Sequence, residues 1–319
     1  MSGLWGLMTE EVRRPEQPAA TLWERFDPQV LAALGSLELK ARYLVEGFLT
    51  GLHRSPFHGF SVEFSEYREY YPGDDLRHLD WRVYARCDRL YVKQYTQETN
   101  VRFYLLCDAS GSMAYRGRRA WESKLEVAKL LAAAFTWILL RQNDAAGMLT
   151  LHGLEDRPEL VRPSQRPSQL GEILRRLARL EAAKDVRLAT LLDYAGRLFH
   201  RRSIVLVFTD LLEDCAELEP AWKKLRFQGH ECLVFQILDA DEIEFPFDHP
   251  AVFEDLETGQ RRRVRPAAVR DRYRERFERF MQEHRRLLEG LEIPLCLVRT
   301  DQSPWQTLGE FLSWRRRWL

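Results

Sequence analysis

The run Val101-Arg102-Phe103-Tyr104-Leu105-Leu106-Cys107 is almost wholly apolar, β-branched or aromatic, and it stops on a carboxylate, Asp108. Ser203-Ile204-Val205-Leu206-Val207-Phe208 repeats the pattern further along and is followed by Thr209 and Asp210. Runs this short and this continuous fit strands covered on both faces, because a strand with one wet face alternates polar and apolar residues. Between and after them the period changes. Helices are expected over 122–141, 170–180, 190–199, 218–227 and 305–315, and further strands over 145–151, 231–238 and 293–298. A turn at Glu257-Thr258-Gly259 predicts a hairpin, and 266–291 carries Val269, Tyr273, Phe277, Phe280, Met281 and Leu288 along one helical stripe. Strands alternating with helices predict an α/β fold, a mostly parallel sheet with helices on both faces.

Upstream the pattern is different. Residues 1–27 contain Pro15 and Pro18 among polar residues and no sustained period, which predicts a flexible tail. Residues 28–100 form a smaller helix and strand segment, with a helix over 30–52 broken near Gly35 and strands around Phe60-Val62-Phe64 and Leu90-Val92-Tyr95. Between those strands, Pro72-Gly73 suits the centre of a tight turn, Asp75 suits a cap, and Leu76, Leu79 and Val83 recur at helical spacing. The main domain is then 101–319.

Composition narrows the function. The 48 Lys and Arg balance 48 Asp and Glu, so no overall field draws the chain to nucleic acid or an anionic membrane. The Arg261-Arg262-Arg263 and Arg315-Arg316-Arg317 runs are expected to be solvated faces. Five cysteines without a CxxC pair fit neither a disulfide framework nor a zinc ribbon, and a reducing cytoplasm suits them. The apolar run 130–140 falls short of the ~20 residues that cross a bilayer, so it is expected to be a buried helix and no membrane insertion is expected. Glu10 and Glu11 stand where a secretory signal would need its apolar core. No phosphate-binding glycine motif occurs, so any nucleotide hydrolysis belongs to a partner.

Open α/β sheets bind ligands at the carboxyl ends of their strands, beside the point where strand order reverses. That rule selects Asp108-Ala109-Ser110-Gly111-Ser112 and Thr209-Asp210. The first loop offers a carboxylate and two hydroxyls at alternate positions, and the second adds another carboxylate. All are hard oxygen donors, the kind Mg²⁺ takes in near-octahedral geometry while it retains waters.

Asp108-Ala109-Ser110-Gly111-Ser112 resembles the DxSxS signature of von Willebrand factor A domains. That resemblance implies a von Willebrand factor A-like, Rossmann-like fold. It also implies a metal-ion-dependent adhesion site in which Asp108, Ser110, Ser112, a threonine and a third-loop aspartate surround Mg²⁺, with Mn²⁺ or Ca²⁺ as substitutes. Thr190 and Asp210 match the last two roles, although Arg187-Leu188-Ala189 precedes Thr190 where the family often has glycine, and Thr190 is equally suited to be a helix cap. Such an ion is held weakly until a partner protein supplies an acidic group. The stretches 62–68, 71–81 and 88–93, with 253–259 and 297–301, further resemble the bacterial domain of unknown function 58 family. Members commonly accompany MoxR-type AAA+ ATPases, which implies an adaptor role in a chaperone-like or complex-assembly process. The stretch 71–81 has a plainer reading as turn, cap and amphipathic helix.

The chain is expected not to be an enzyme. The alternative is a Mg²⁺-dependent phosphohydrolase with Asp108 at its active site, as in haloacid dehalogenase-like phosphatases, but Ser110 stands where their second aspartate donates a proton. Neither Ser110 nor Ser112 lies in a GxSxG elbow. A third possibility is a structural protein whose loop binds no metal.

Overall fold

The computed structural model describes residues 35–53, 67–69, 91–93, 101–151, 158–184 and 186–318. The expected tail over 1–27, the strand around Phe60-Val62-Phe64 and the turn and helix over 71–83 lie outside the described residues. The described elements begin with α1 (Leu37–His53) and the strands β1 (Tyr67–Glu69) and β2 (Tyr91–Lys93), which pair antiparallel with each other. The main unit then runs β3 (Arg102–Cys107), α2 (Lys124–Arg141), β4 (Ala145–Leu151), β5 (Pro158–Ser164), α3 (Ser168–Arg179), α4 (Leu188–Leu198) and β6 (Ile204–Thr209). It continues through α5 (Cys215–Phe227), β7 (Glu231–Leu238), α6 (Ala240–Glu244), β8 (Ala251–Glu254) and β9 (Arg261–Val264). It ends with α7 (Pro266–Gly290), β10 (Leu295–Arg299) and α8 (Pro304–Trp318).

Six strands form one sheet in the order β10-β7-β6-β3-β4-β5, parallel throughout except for β5, which runs antiparallel to β4 at the edge. The chain builds outward from β3 to β4 and β5, then returns to β6 on the other side of β3. The order therefore reverses between β3 and β6, the ligand-binding position of such sheets. This is the mostly parallel, helix-flanked α/β fold that the apolar runs predicted. Pro158 and Pro163 obscured β5 in the sequence, and an edge strand is where proline is tolerated, since one side of it has no ladder to feed. The predicted hairpin is β8 and β9, a separate two-stranded sheet.

The core explains why α2 is apolar on nearly every side. Its inner residues meet the sheet, and α1, α3 and α8 cover its other flanks. Leu131, Ala132, Ala133, Ala134, Phe135 and Leu139 have no exposed surface, which accounts for the buried helix read from 130–140. Ser123 caps the helix start by accepting from the Glu126 N–H at 3.3 Å, and Asn143 turns the chain through a left-handed conformation, φ 59°, into β4. Among the described residues no helix is long and apolar enough to cross a membrane.

Phe135 sits at the centre of an aromatic cluster. Its ring centroid lies 4.3 Å from Phe311, 5.0 Å from Phe235 and 5.8 Å from Phe208, so one side chain joins α2, α8, β7 and β6. Phe135→Ala should lower the unfolding free energy by about 3–5 kcal/mol. Urea denaturation measures this, and a loss below ~1 kcal/mol would show that these layers do not depend on the cluster.

Candidate functional site

The carboxyl ends of β3 and β6 are held side by side by the ladder itself. Cys107 is in register with Phe208, and the Asp108 N–H donates to the Phe208 carbonyl at 2.9 Å. Asp108 is thereby fixed one step past the strand, 2% exposed, with both carboxylate oxygens engaged. Oδ1 accepts from the Ser110 N–H at 2.9 Å and Oδ2 accepts from the Thr209 hydroxyl at 2.6 Å. The first of these bonds bends the chain so that Ser110 and Ser112 lie on one side, their Oγ atoms 3.2 Å apart. Residues Gly111–Ala114 complete a single 3-10 turn.

The second loop is just as tight. Leu211 takes a left-handed conformation, φ 56°, which is costly for a branched residue at about 1–3 kcal/mol and persists here because the side chain is fully buried. The Leu211 N–H donates to Thr209 Oγ1 at 3.1 Å and the Leu212 N–H to Asp210 Oδ1 at 3.2 Å. Asp210 Oδ2 accepts from Lys124 Nζ at 2.8 Å. Lys124 itself is 0% exposed and donates also to Glu242 at 2.6 Å.

These groups shape one another's ionisation. Burial, and then the neighbouring Asp210 charge, push the Asp108 carboxyl well above the usual carboxylate range, with the Thr209 and Ser110 hydrogen bonds only partly opposing them. Burial also works against the Lys124 charge, but Asp210 and Glu242 outweigh it and hold the ammonium above its ordinary range. Glu242 is raised by burial, with Lys124 opposing. One buried cation thus serves two carboxylates, while among the described residues Asp108 accepts from neutral donors.

Asp108, Ser110, Ser112 and Asp210 line a single cavity of about 810 Å³, which Phe245, Phe253, Glu257 and Tyr273 also line. Ser112 and Asp210, which come from separate strand ends, both line it. Thr190 is not brought to it. It lies inside the first turn of α4, and Arg187 and Leu188 are the residues of this segment that line the cavity. The reason is a long-range cap. Glu213 accepts from the Leu188 N–H and, at 3.3 Å, from the Ala189 N–H, so α4 starts earlier than the sequence indicated and Thr190 is neither its cap nor a cavity residue.

Three further residues belong to the site. Lys124 is the one basic residue in the first turn of an apolar helix, a signal visible in the sequence once its burial is known. Glu242 completes a capping box with Asp239, and the local spacing Asp-x-x-Glu announces that box but not its contact with Lys124. Glu257, at the hairpin tip, accepts from the Ser112 N–H at 2.7 Å.

Among the described residues no three acidic, imidazole or thiol side chains are gathered tightly enough to hold a metal ion by themselves. A cation here must also take hydroxyl oxygens. Asp108 and Asp210 with Ser110 and Ser112 provide such a hard, partly neutral set, and a carboxylate oxygen that already accepts one hydrogen bond keeps a second lone pair for a ligand. The donor chemistry fits a divalent ion of the Mg²⁺ type.

The chain is 30% identical over 298 residues to the uncharacterized protein Rv1480 of Mycobacterium tuberculosis, covering 91% of each. Its structure is similar to that of the conserved hypothetical protein BatB from Bacteroides thetaiotaomicron, with a TM-score of 0.40 at 16% identity, covering 68% of this chain and 99% of that one. It is also similar to an aerotolerance-related membrane protein from Bacteroides fragilis, with a TM-score of 0.42 at 18% identity, covering 66% and 97%. The profile of the family described as "Protein of unknown function DUF58" matches residues 66–287, and the chain belongs to that family.

Proposed function

We propose that this chain is a non-catalytic module that binds a partner protein through a divalent cation, and that it serves as an adaptor for a MoxR-type AAA+ ATPase in a chaperone-like or complex-assembly role. The observation that carries this reading is the meeting of Asp108, Ser110, Ser112 and Asp210 around one cavity at the switch point of the sheet. Asp108 and Asp210 would hold the ion together with Ser110 and Ser112. When bound, the ion supplies an electrophilic point for an acidic group of the partner. Thr190 has no part in this assignment.

The residues favour holding over turnover. A nucleophilic aspartate of this kind works with a nearby acid, and Ser110, a hydroxyl, stands in the position of that acid. Lys124 contributes by locking Asp210 and Glu242, so that the second loop keeps its shape whether or not an ion is present. The cytoplasm is the proposed compartment, supported by the unpaired Cys107, Cys215, Cys232 and Cys296.

Mg²⁺ titrated into the full chain should bind with a Kd on the order of 1 mM, about 4 kcal/mol. By mass action, tenfold that concentration should raise stability by about 1.4 kcal/mol. Asp108→Ala should abolish the calorimetric signal and the thermal shift; equal heats in both proteins would remove Asp108 from the site.

Capture of a MoxR-type ATPase by the chain should fall at least ~10-fold, about 1.4 kcal/mol, on chelation or on Asp108→Ala. Capture indifferent to both would count against the metal-dependent mechanism. Asp108-dependent turnover of generic phosphoesters with Mg²⁺ would overturn the non-catalytic part of the proposal.

A further inference from the structure

The β8–β9 hairpin stands apart from the main sheet, yet its tip reaches the loop that carries Ser110 and Ser112. Its strands are four residues each, in register from Ala251↔Val264 to Glu254↔Arg261. The hairpin is held by aromatic contacts, with Phe253 stacked on Phe245 at 5.6 Å and edge-on to Phe247 at 5.1 Å.

The tip is tightly organised by Asp255. Its carboxylate accepts from the Glu257 N–H at 2.8 Å, the Thr258 N–H at 3.2 Å and the Thr258 hydroxyl at 2.8 Å. The Asp255 carbonyl accepts from the Gly259 N–H at 2.7 Å, and Gly259 supplies the left-handed step, φ 72°, that closes the turn. A tip ordered by this many local bonds presents one side chain in a defined direction, and that side chain is Glu257.

Glu257 Oε1 accepts from the Ser112 N–H at 2.7 Å. A Cβ placed on Gly111 would lie 2.5 Å from the Leu256 carbonyl oxygen and 3.1 Å from Glu257 Oε2. The middle glycine of the loop is therefore what allows the tip to approach, and both oxygens of Glu257 lie at the loop. Glu257 joins a cavity lined by several other carboxylates, among them Asp108, Asp210, Glu254 and Asp255. Of the two basic residues that line it, Arg187 is paired with Glu213 and Glu217, while Lys184 Nζ lies at the hairpin tip, 2.9 Å from where a Cβ on Gly259 would sit. The buried Lys124 is shared between Asp210 and Glu242. Among the described residues no cation pairs with the Glu257 oxygens at the Ser112 end of the tip, where an ion held by the loop would add an opposite charge beside them.

We propose that Glu257 is the site's own acidic ligand, taking on the Asp108–Ser112 loop the position that a partner's acidic group would otherwise fill. This rests on the metal-dependent reading above and adds regulation to it. A partner gains the site only by displacing the hairpin tip, so it must bring a carboxylate, from a side chain or a chain terminus, that outcompetes Glu257. The module is closed in isolation, and opening it moves a surface hairpin without disturbing the main sheet.

The test uses the full chain with Mn²⁺ alone as probe, comparing wild type, Glu257→Gln and Asp108→Ala by calorimetry and by hydrogen exchange of the backbone amides over 255–260. Circular dichroism checks that each variant is folded; Glu257 lies on a surface hairpin and its amide is nearly isosteric. In wild type, Mn²⁺ should bind and slow exchange at the tip. In Glu257→Gln the affinity should fall about tenfold, ~1.4 kcal/mol, the tip should no longer respond, and millimolar acetate should restore part of the lost affinity. Wild-type affinity and tip protection in Glu257→Gln, with binding lost in Asp108→Ala, would overturn this inference and leave the metal reading standing. Absence of Mn²⁺ binding from the wild type would overturn both.

Discussion

Two aspartates emerge from neighbouring parallel strands into a buried position, and their mutual repulsion is the constraint to which the surrounding structure responds. Burying an ionised carboxylate without a partner costs several kcal/mol, and burying two side by side costs more. The fold answers asymmetrically. Asp210 receives the Lys124 ammonium, whereas Asp108, among the described residues, receives a hydroxyl and an amide. Neutral donors bring no opposite charge, so Asp108 remains the under-compensated member. That imbalance matters for function more than for stability, since it leaves a place where an added cation is favourable.

The supporting shell follows from the same requirement. For Lys124 to reach Asp210, the start of α2 must be drawn into the sheet end, which explains a fully buried lysine at the head of an otherwise apolar helix. The second carboxylate on Lys124, Glu242, is in turn fixed by the Asp239 N–H at 2.8 Å, so the short helix α6 exists largely to aim it. Asp239 itself accepts from the Gly117 N–H at 2.9 Å and the Thr300 hydroxyl at 2.7 Å, which ties the loops after β3, β7 and β10 together. The site is therefore built on rigid neighbours, as a binding constellation must be if it is to hold its geometry without its ligand.

How much of this was legible in the sequence depends on the range of the interaction. Strands β3, β4, β6 and β7 were readable because covering both faces leaves an unbroken apolar run, and α2 because it is apolar nearly all round. Asp108, Ser110, Ser112 and Asp210 were readable because they occupy strand ends, a position that the alternation of elements defines by itself. What escaped notice depends on residues far apart in the chain. Thr190 was placed before its helix because no local pattern reveals that Glu213 caps Leu188 from 25 residues away. Lys124 and Asp210 are 86 residues apart, and Ser112 and Glu257 145 apart. The turn at Glu257-Thr258-Gly259 was plain, but turn chemistry says nothing about which loop a hairpin will lie on.

The hairpin also shows why a site of this kind can be sensitive to a partner without a change in the core. The sheet order is maintained by six paired strands and a continuous apolar interior, so opening it would cost most of the folding free energy. The β8–β9 unit shares none of that ladder. Among the described residues its attachments include the aromatic contacts of Phe253, the close fit of Leu256 against Gly111, the approach of Lys184 to Gly259 and a hydrogen bond to Ser112. A net contribution of about 1.5–3 kcal/mol for a hydrogen bond to a charged group is within reach of a competing carboxylate. Local opening of such an element can therefore be driven by binding energy alone, and the asymmetry between a fixed Asp210 and an under-compensated Asp108 determines where that energy is spent.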